Sequence, residues 1–153
     1  LLCLVISFYG FSGMSFSNIY PTTSFEKPLV LSPVGEEILK YATPDDQLTI
    51  WGEAGKLYLE TKMLQGSKWC FTYWGMYDLK IQSEFKEAYL QEIKQGKPAI
   101  IFDSHRNGTH AINRTNNGVE TFPTLYEYLK ENYTLTADVS GMRVFVRNDK
   151  KTD

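Results

Sequence analysis

Residues Thr43–Met63, TPDDQLTIWGEAGKLYLETKM, read as a turn, a buried strand, a glycine-bearing corner and a helix. Pro44-Asp45-Asp46 is turn chemistry, because proline presets φ and aspartate side chains bond nearby backbone amides. Leu48, Ile50 and Trp51 are strand formers in a short run bounded by turn signals. Gly52 and Gly55 bracket Glu53-Ala54, where the chain must change direction. Leu57, Tyr58 and Leu59, with Met63 and Leu64 one turn on, predict a short helix of uneven apolar pattern. A Gly-x-x-Gly after a strand can cradle a phosphate at a helix N-terminus. This one lacks the full GxGxxG and the Walker lysine and serine, and Glu53 would repel a phosphate, so it reads as a structural corner.

On the N-terminal side, Ser32-Pro33 reads as a helix cap followed by proline at the first helical position. Val34, Ile38 and Ala42 give that helix an inward stripe. Further upstream, Ser17–Leu31 is polar, contains Pro21 and Pro28, and reads as a linker. Leu1–Phe16 carries no charge, and the first charged residue is Glu26. The run is shorter than the roughly 20 apolar residues that span a bilayer. It opens on Leu-Leu-Cys without an initiator methionine and lacks a basic n-region, so the expectation is the end of a membrane helix continued from a longer chain. Tyr9, Phe11, Phe16 and Tyr20 suit an interfacial aromatic belt.

On the C-terminal side, Trp69, Phe71 and Tyr73 alternate and predict a strand over Lys68–Tyr73. Trp74 and Tyr77 fall past it and are candidates for a sugar-binding surface. Ser83–Gln95 is a helix by its Phe85, Ala88, Tyr89 and Ile93 face, capped by Ser83 and closed by Gly96. Ala99–Asp103 is a continuous apolar run and suits a strand covered on both faces. It ends in Asp103-Ser104-His105, with His110 following. Ligands gather outside the carboxyl ends of strands in open α/β sheets, so Asp103, His105 and His110 are candidate binding or acid–base residues. Their spacing matches no metal motif, and Ser104 lies in no nucleophile elbow.

Arg106–Glu120 has no apolar period and reads as a long loop whose substitution is nearly neutral. Asn107, Asn113 and Asn132 head formal glycosylation triplets, which arise often by chance. Thr124–Asn132 predicts a helix. Tyr133–Val139 is expected to place Tyr133, Leu135, Ala137 and Val139 on one face, and Ser140-Gly141 turns it into a return strand, Met142–Arg147. The expected architecture is a three-layer α/β domain over residues 32–148. Its mixed, mostly parallel sheet ends in a C-terminal β-hairpin, and residues 149–153 form a charged tail.

The chain has 153 residues, 42% apolar and 22% charged, which is the composition of a globular domain. A net charge of -2 with no run of like charges offers no footprint for nucleic acid. The two cysteines, Cys3 and Cys70, make neither a metal site nor a disulfide framework. No cofactor or metal is implied.

The succession of LTIWG, KQGKPAIIFDS, FPTLYEYLKENY and MRVFVRN resembles the soluble C-terminal tail of bacterial polytopic glycosyltransferases. These are the family-39-like enzymes related to protein mannosyltransferases and aminoarabinose transferases. The resemblance spans roughly Pro28–Asn148. It implies an extracytoplasmic, periplasmic-side domain attached to the membrane through its N-terminal segment, in an enzyme that moves a sugar from a polyprenyl-phosphate donor. It also places the catalytic acids in loops between upstream membrane helices, so no catalytic residue carries over to this chain. Two other readings stay open: a membrane-tethered carbohydrate-binding module, and a small α/β enzyme with its site at Asp103, His105 and His110.

Overall fold

Strand β1 (Gln47–Trp51) forms where expected, and Leu48 to Trp51 are all buried. The computed structural model describes residues 30–72, 82–108 and 113–150. Ahead of β1 lies α1 (Pro33–Ile38), whose Ser32 cap accepts from Gly35 N at 3.1 Å, with proline at the first turn. After β1 come α2 (Lys56–Thr61), the short β2 (Leu64–Gln65) and the long α3 (Gln82–Gly96). They are followed by β3 (Ile100–Asp103), α4 (Arg114–Asn117), a 3-10 turn (Val119–Thr121) and α5 (Pro123–Asn132). A hairpin of β4 (Tyr133–Val139) and β5 (Met142–Arg147) closes the domain.

The five strands form one mixed sheet in the order β2-β1-β3-β5-β4. β1 pairs in parallel with β2 and β3, while β5 pairs antiparallel with β3 and β4. Parallel and antiparallel pairings are therefore equal in number, where a mostly parallel sheet was expected. Side-chain alternation divides the core into two clusters. Leu48, Ile50, Ile100, Phe102, Val144 and Val146 pack with α1 and α2, and Trp51, Ile101 and Phe145 pack with α3 and α5. Gly141 and Ser140 both take positive φ, +86° and +54°, as a tight two-residue hairpin turn requires.

Several expectations are corrected. Lys68–Tyr73 is not a strand within the described residues. The open edge of β1 is taken by Leu64 and Gln65, and the later segment runs to the Gly52 corner, where Thr72 is bonded. Trp69 instead packs edge-on against Phe85 with ring centroids 4.9 Å apart. Tyr133, Leu135, Ala137 and Val139 do not share a face. A register shift between Leu135 and Ala137 leaves Tyr133 in the aromatic cluster and turns Ala137 and Val139 toward the aliphatic one.

Nor is Arg106–Glu120 one open loop, because residues 113–121 form α4 and a 3-10 turn, with Asn117, Gly118 and Val119 buried. Ser83 lies inside α3 rather than capping it. Gly96 is that helix's last residue, and the left-handed turn that follows is made by Lys97 at φ +45°. Among the described residues no helix is long and apolar enough to cross a membrane, and the Leu1–Phe16 segment lies outside them.

Candidate functional site

The carboxyl ends of β1 and β3 lie side by side, with Trp51 in register with Asp103. From β1 the chain runs through α2 to β2 on one side, then returns through α3 to β3 on the other. That reversal marks a topological switch point, the crevice where open α/β sheets place their ligands. Here the strand ends carry Gly52 and Glu53 after β1 and Ser104 and His105 after β3.

The corner at Gly52 has a physical requirement for glycine. Its φ is +110°, and a Cβ there would lie 2.8 Å from His105 Cε1 and collide with Ser104 Oγ. Gly55 meets no such constraint, since a Cβ there has open space. The corner amides are already engaged: Gly52 N donates to Thr72 Oγ1 at 2.6 Å and Glu53 N to Ser104 Oγ at 2.9 Å. Thr72 N returns a bond to Gly52 O at 3.0 Å. These bonds agree with a structural corner rather than a phosphate cradle.

Asp103 is fully buried and sits at the centre of a charge network. Arg143 Nη2 donates to its Oδ2 at 2.6 Å. His105 N donates to Oδ1 at 3.0 Å, and the His105 ring Nδ1 lies 2.8 Å from the same oxygen. Val119 N adds a longer bond to Oδ2 at 3.4 Å. Burial alone would raise the Asp103 carboxyl, but the bonds from His105 and Arg143 outweigh it and hold the group below its usual range. The ionised carboxylate can only accept, so the bond at Nδ1 runs from the His105 ring to Asp103. Arg143 also grips Glu120 through both guanidinium ends, with Nη2 to Oε2 at 2.7 Å, and that bond holds the Glu120 carboxyl down. Arg143 Nε is buried without a partner among the described residues.

The described residues at these strand ends therefore include a carboxylate-oriented imidazole, but no nucleophile joined to it. Ser104 Oγ accepts from Glu53 N, and no hydrogen bond links it to the His105 ring. Among the described residues no group of three or more His, Cys, Asp and Glu could hold a metal ion. Asp103 and His105 are brought together. His110, Trp74 and Tyr77 lie outside the described residues, so their relation to this pair is not drawn. Trp69, an aromatic of the expected strand Lys68–Tyr73, is half-buried against α3.

No protein-family model, curated protein or solved structure matches the chain. Its function has to be argued from this geometry and from the sequence resemblance.

Sequence reasoning does not reach Arg143, Glu120 and Val119 as the surroundings of Asp103, nor Thr72 as the partner of Gly52. One signal for Arg143 was present in MRVFVRN: an arginine between strand residues, on the face of Phe145, needs a buried acid to pair with. Asp103 at the end of an all-apolar strand makes the converse demand. The pairing itself depends on β5 inserting beside β3, which no local pattern encodes.

Proposed function

We propose that the chain is the extracytoplasmic C-terminal accessory domain of a membrane glycosyltransferase that moves a sugar from a polyprenyl-phosphate donor. In this reading it has the three-layer arrangement expected of the sequence, hangs from the membrane through its N-terminal segment, and performs no transfer alone. The supporting observation is the internal engagement of Asp103. Its carboxylate is held by Arg143, His105 and Val119, which is the environment of a structural lock between β3, β5 and the 114–121 segment. The motifs that carry the resemblance also fall on framework positions. LTIWG builds β1 and the Gly52 corner, and MRVFVRN supplies β5 with Arg143.

The test is turnover of the full-length parent with a lipid-linked sugar donor. Replacing Asp103 by Ala would break a buried ion pair and cost stability, about 3–5 kcal/mol, for reasons unrelated to chemistry. The informative variant is therefore His105→Gln combined with His110→Gln, after confirming insertion and folding. Turnover within about tenfold of wild type is expected, because loss of a general acid or base costs about 10²–10⁴. A loss of a thousandfold or more at unchanged expression overturns the reading. It would favour the second one, a small α/β enzyme, for which the Asp103-oriented ring of His105 is the specific observation.

A further inference from the structure

On the aliphatic side of the sheet, a groove of about 300 Å³ opens between α1, α2 and the turn of the terminal hairpin. Pro33, Ala54, Val139 and Met142 give it apolar walls over a buried floor of Val34, Leu57 and Phe102, and exposed Lys56 and Arg106 stand beside it. Phe102 belongs to the carboxyl-terminal half of β3, so the groove lies at the same end of the sheet as the switch point, on the opposite face from Asp103. Its volume is at the lower end of small-ligand sites, enough for one short chain.

The charges at the rim are unequal. Lys56 Nζ lies 2.7 Å from Glu60 Oε1, and the side chain of Glu60 is buried beneath it. Glu60 Oε2 also accepts from Ser32 N at 3.0 Å and Ser32 Oγ at 2.5 Å, so that acid is fully matched. Arg106 is exposed and makes no ion pair among the described residues. Its backbone is held in place by Arg114 N bonding to Arg106 O at 3.1 Å, in a bridge with Asn113. Apolar walls with one uncompensated guanidinium at the mouth complement a chain that ends in an anion. A neutral alkyl chain would leave the arginine unused, and a bare phosphate would leave the walls unused.

We infer that this groove binds a single-chain anionic amphiphile, its alkyl part against Pro33, Ala54, Val139 and Met142 and its head at Arg106. The inference does not depend on the glycosyltransferase reading, since it concerns a different face of the sheet and a different readout. The test uses the full chain with ¹³C-methyl-labelled methionine. Met142 reports the groove, buried Met63 reports the integrity of the core, and Met14 reports binding to the apolar N-terminal segment.

Decyl phosphate, kept below its aggregation threshold, is expected to shift the Met142 methyl resonance saturably while Met63 stays in place. Arg106→Gln should weaken that binding by about tenfold, as loss of a charge-assisted bond does. Arg106→Lys should retain most of it. Decanol should bind at least about tenfold more weakly, and inorganic phosphate should leave Met142 unmoved. The inference is overturned if only Met14 responds, if Arg106→Gln binds as well as wild type, or if decanol or inorganic phosphate matches decyl phosphate at Met142.

Discussion

On one face of the sheet the strands present Leu48, Ile50, Ile100, Phe102, Val144 and Val146 to the short helices α1 and α2. On the other they present Trp51, Ile101 and Phe145 to the longer α3 and α5, which answer with Phe85, Tyr89, Leu125 and Leu129. The aliphatic face is held mainly by area removed from water, a non-directional force, with one polar tie in which buried Glu60 of α2 accepts from Ser32 at the start of α1. The aromatic face adds directional bonds across long sequence distances. Trp51 Nε1 donates to Asn117 O at 2.8 Å, Tyr89 OH to Ile50 O at 3.0 Å and Tyr133 OH to Pro98 O at 2.9 Å. Trp51 and Tyr89 also meet ring to ring, with centroids 5.4 Å apart. The Asp103–Arg143 pair lies on this face too, at the strand ends. The aromatic face is thus where residues 113–121 are tied down, which explains why they form helical turns despite their polar composition.

The strongest way to break this comparison is to remove the charge lock. Arg143→Met should cost about 3–5 kcal/mol in denaturant unfolding, because it leaves a buried carboxylate without its guanidinium. A cost near zero would mean that packing alone holds the aromatic face.

Acid titration sharpens the same point. The folded Asp103 carboxyl lies below its ordinary value, so its contribution is present above the unfolded range and is lost as pH falls through the folded value. The stability gap between wild type and Asp103→Asn should therefore narrow below about pH 4. A gap that stays constant down to pH 2 would show that the charge is not what stabilises the strand end.

Next in size is a pair of neighbours on one strand. Ile100 and Ile101 are both fully buried but on opposite faces, and each change to Ala should cost about 2–5 kcal/mol. If Ile101→Ala is much milder, the aromatic face relaxes around cavities more readily than the aliphatic one.

A smaller effect isolates direction from area. Tyr89→Phe keeps the ring and removes only the bond to Ile50 O, for an expected loss of about 0.5–1.5 kcal/mol. The smallest comes from the sheet edge. Leu135 is half exposed on β4, so Leu135→Ser should stay within about 0.5 kcal/mol of neutral in thermal or denaturant melts. A larger cost would imply that something covers this edge.

What the sequence determined is what local physics encodes. The Ser32-Pro33 start of α1, the bounds of β1, the alternation of Met142, Val144 and Val146, and the amphipathic run of α3 each follow from a cap, a turn or a period read within a few residues. The α/β class and the terminal hairpin were legible for the same reason. Asp103 and His105 were identifiable as chemistry at a strand end, though not as a buried and bonded pair. The tertiary structure alone decided that Leu64–Gln65, not Lys68–Tyr73, takes the edge of β1, because two candidate segments compete for one ladder. It alone placed β5 between β3 and β4, bringing Arg143 to Asp103 across 40 residues of chain. It also turned the far half of β4 over through the bulge near Leu135 and ordered residues 113–121 against Trp51 and Asp103. All of these depend on which strand becomes whose neighbour, a choice made by the packing of the whole sheet and not by the propensity of any one segment.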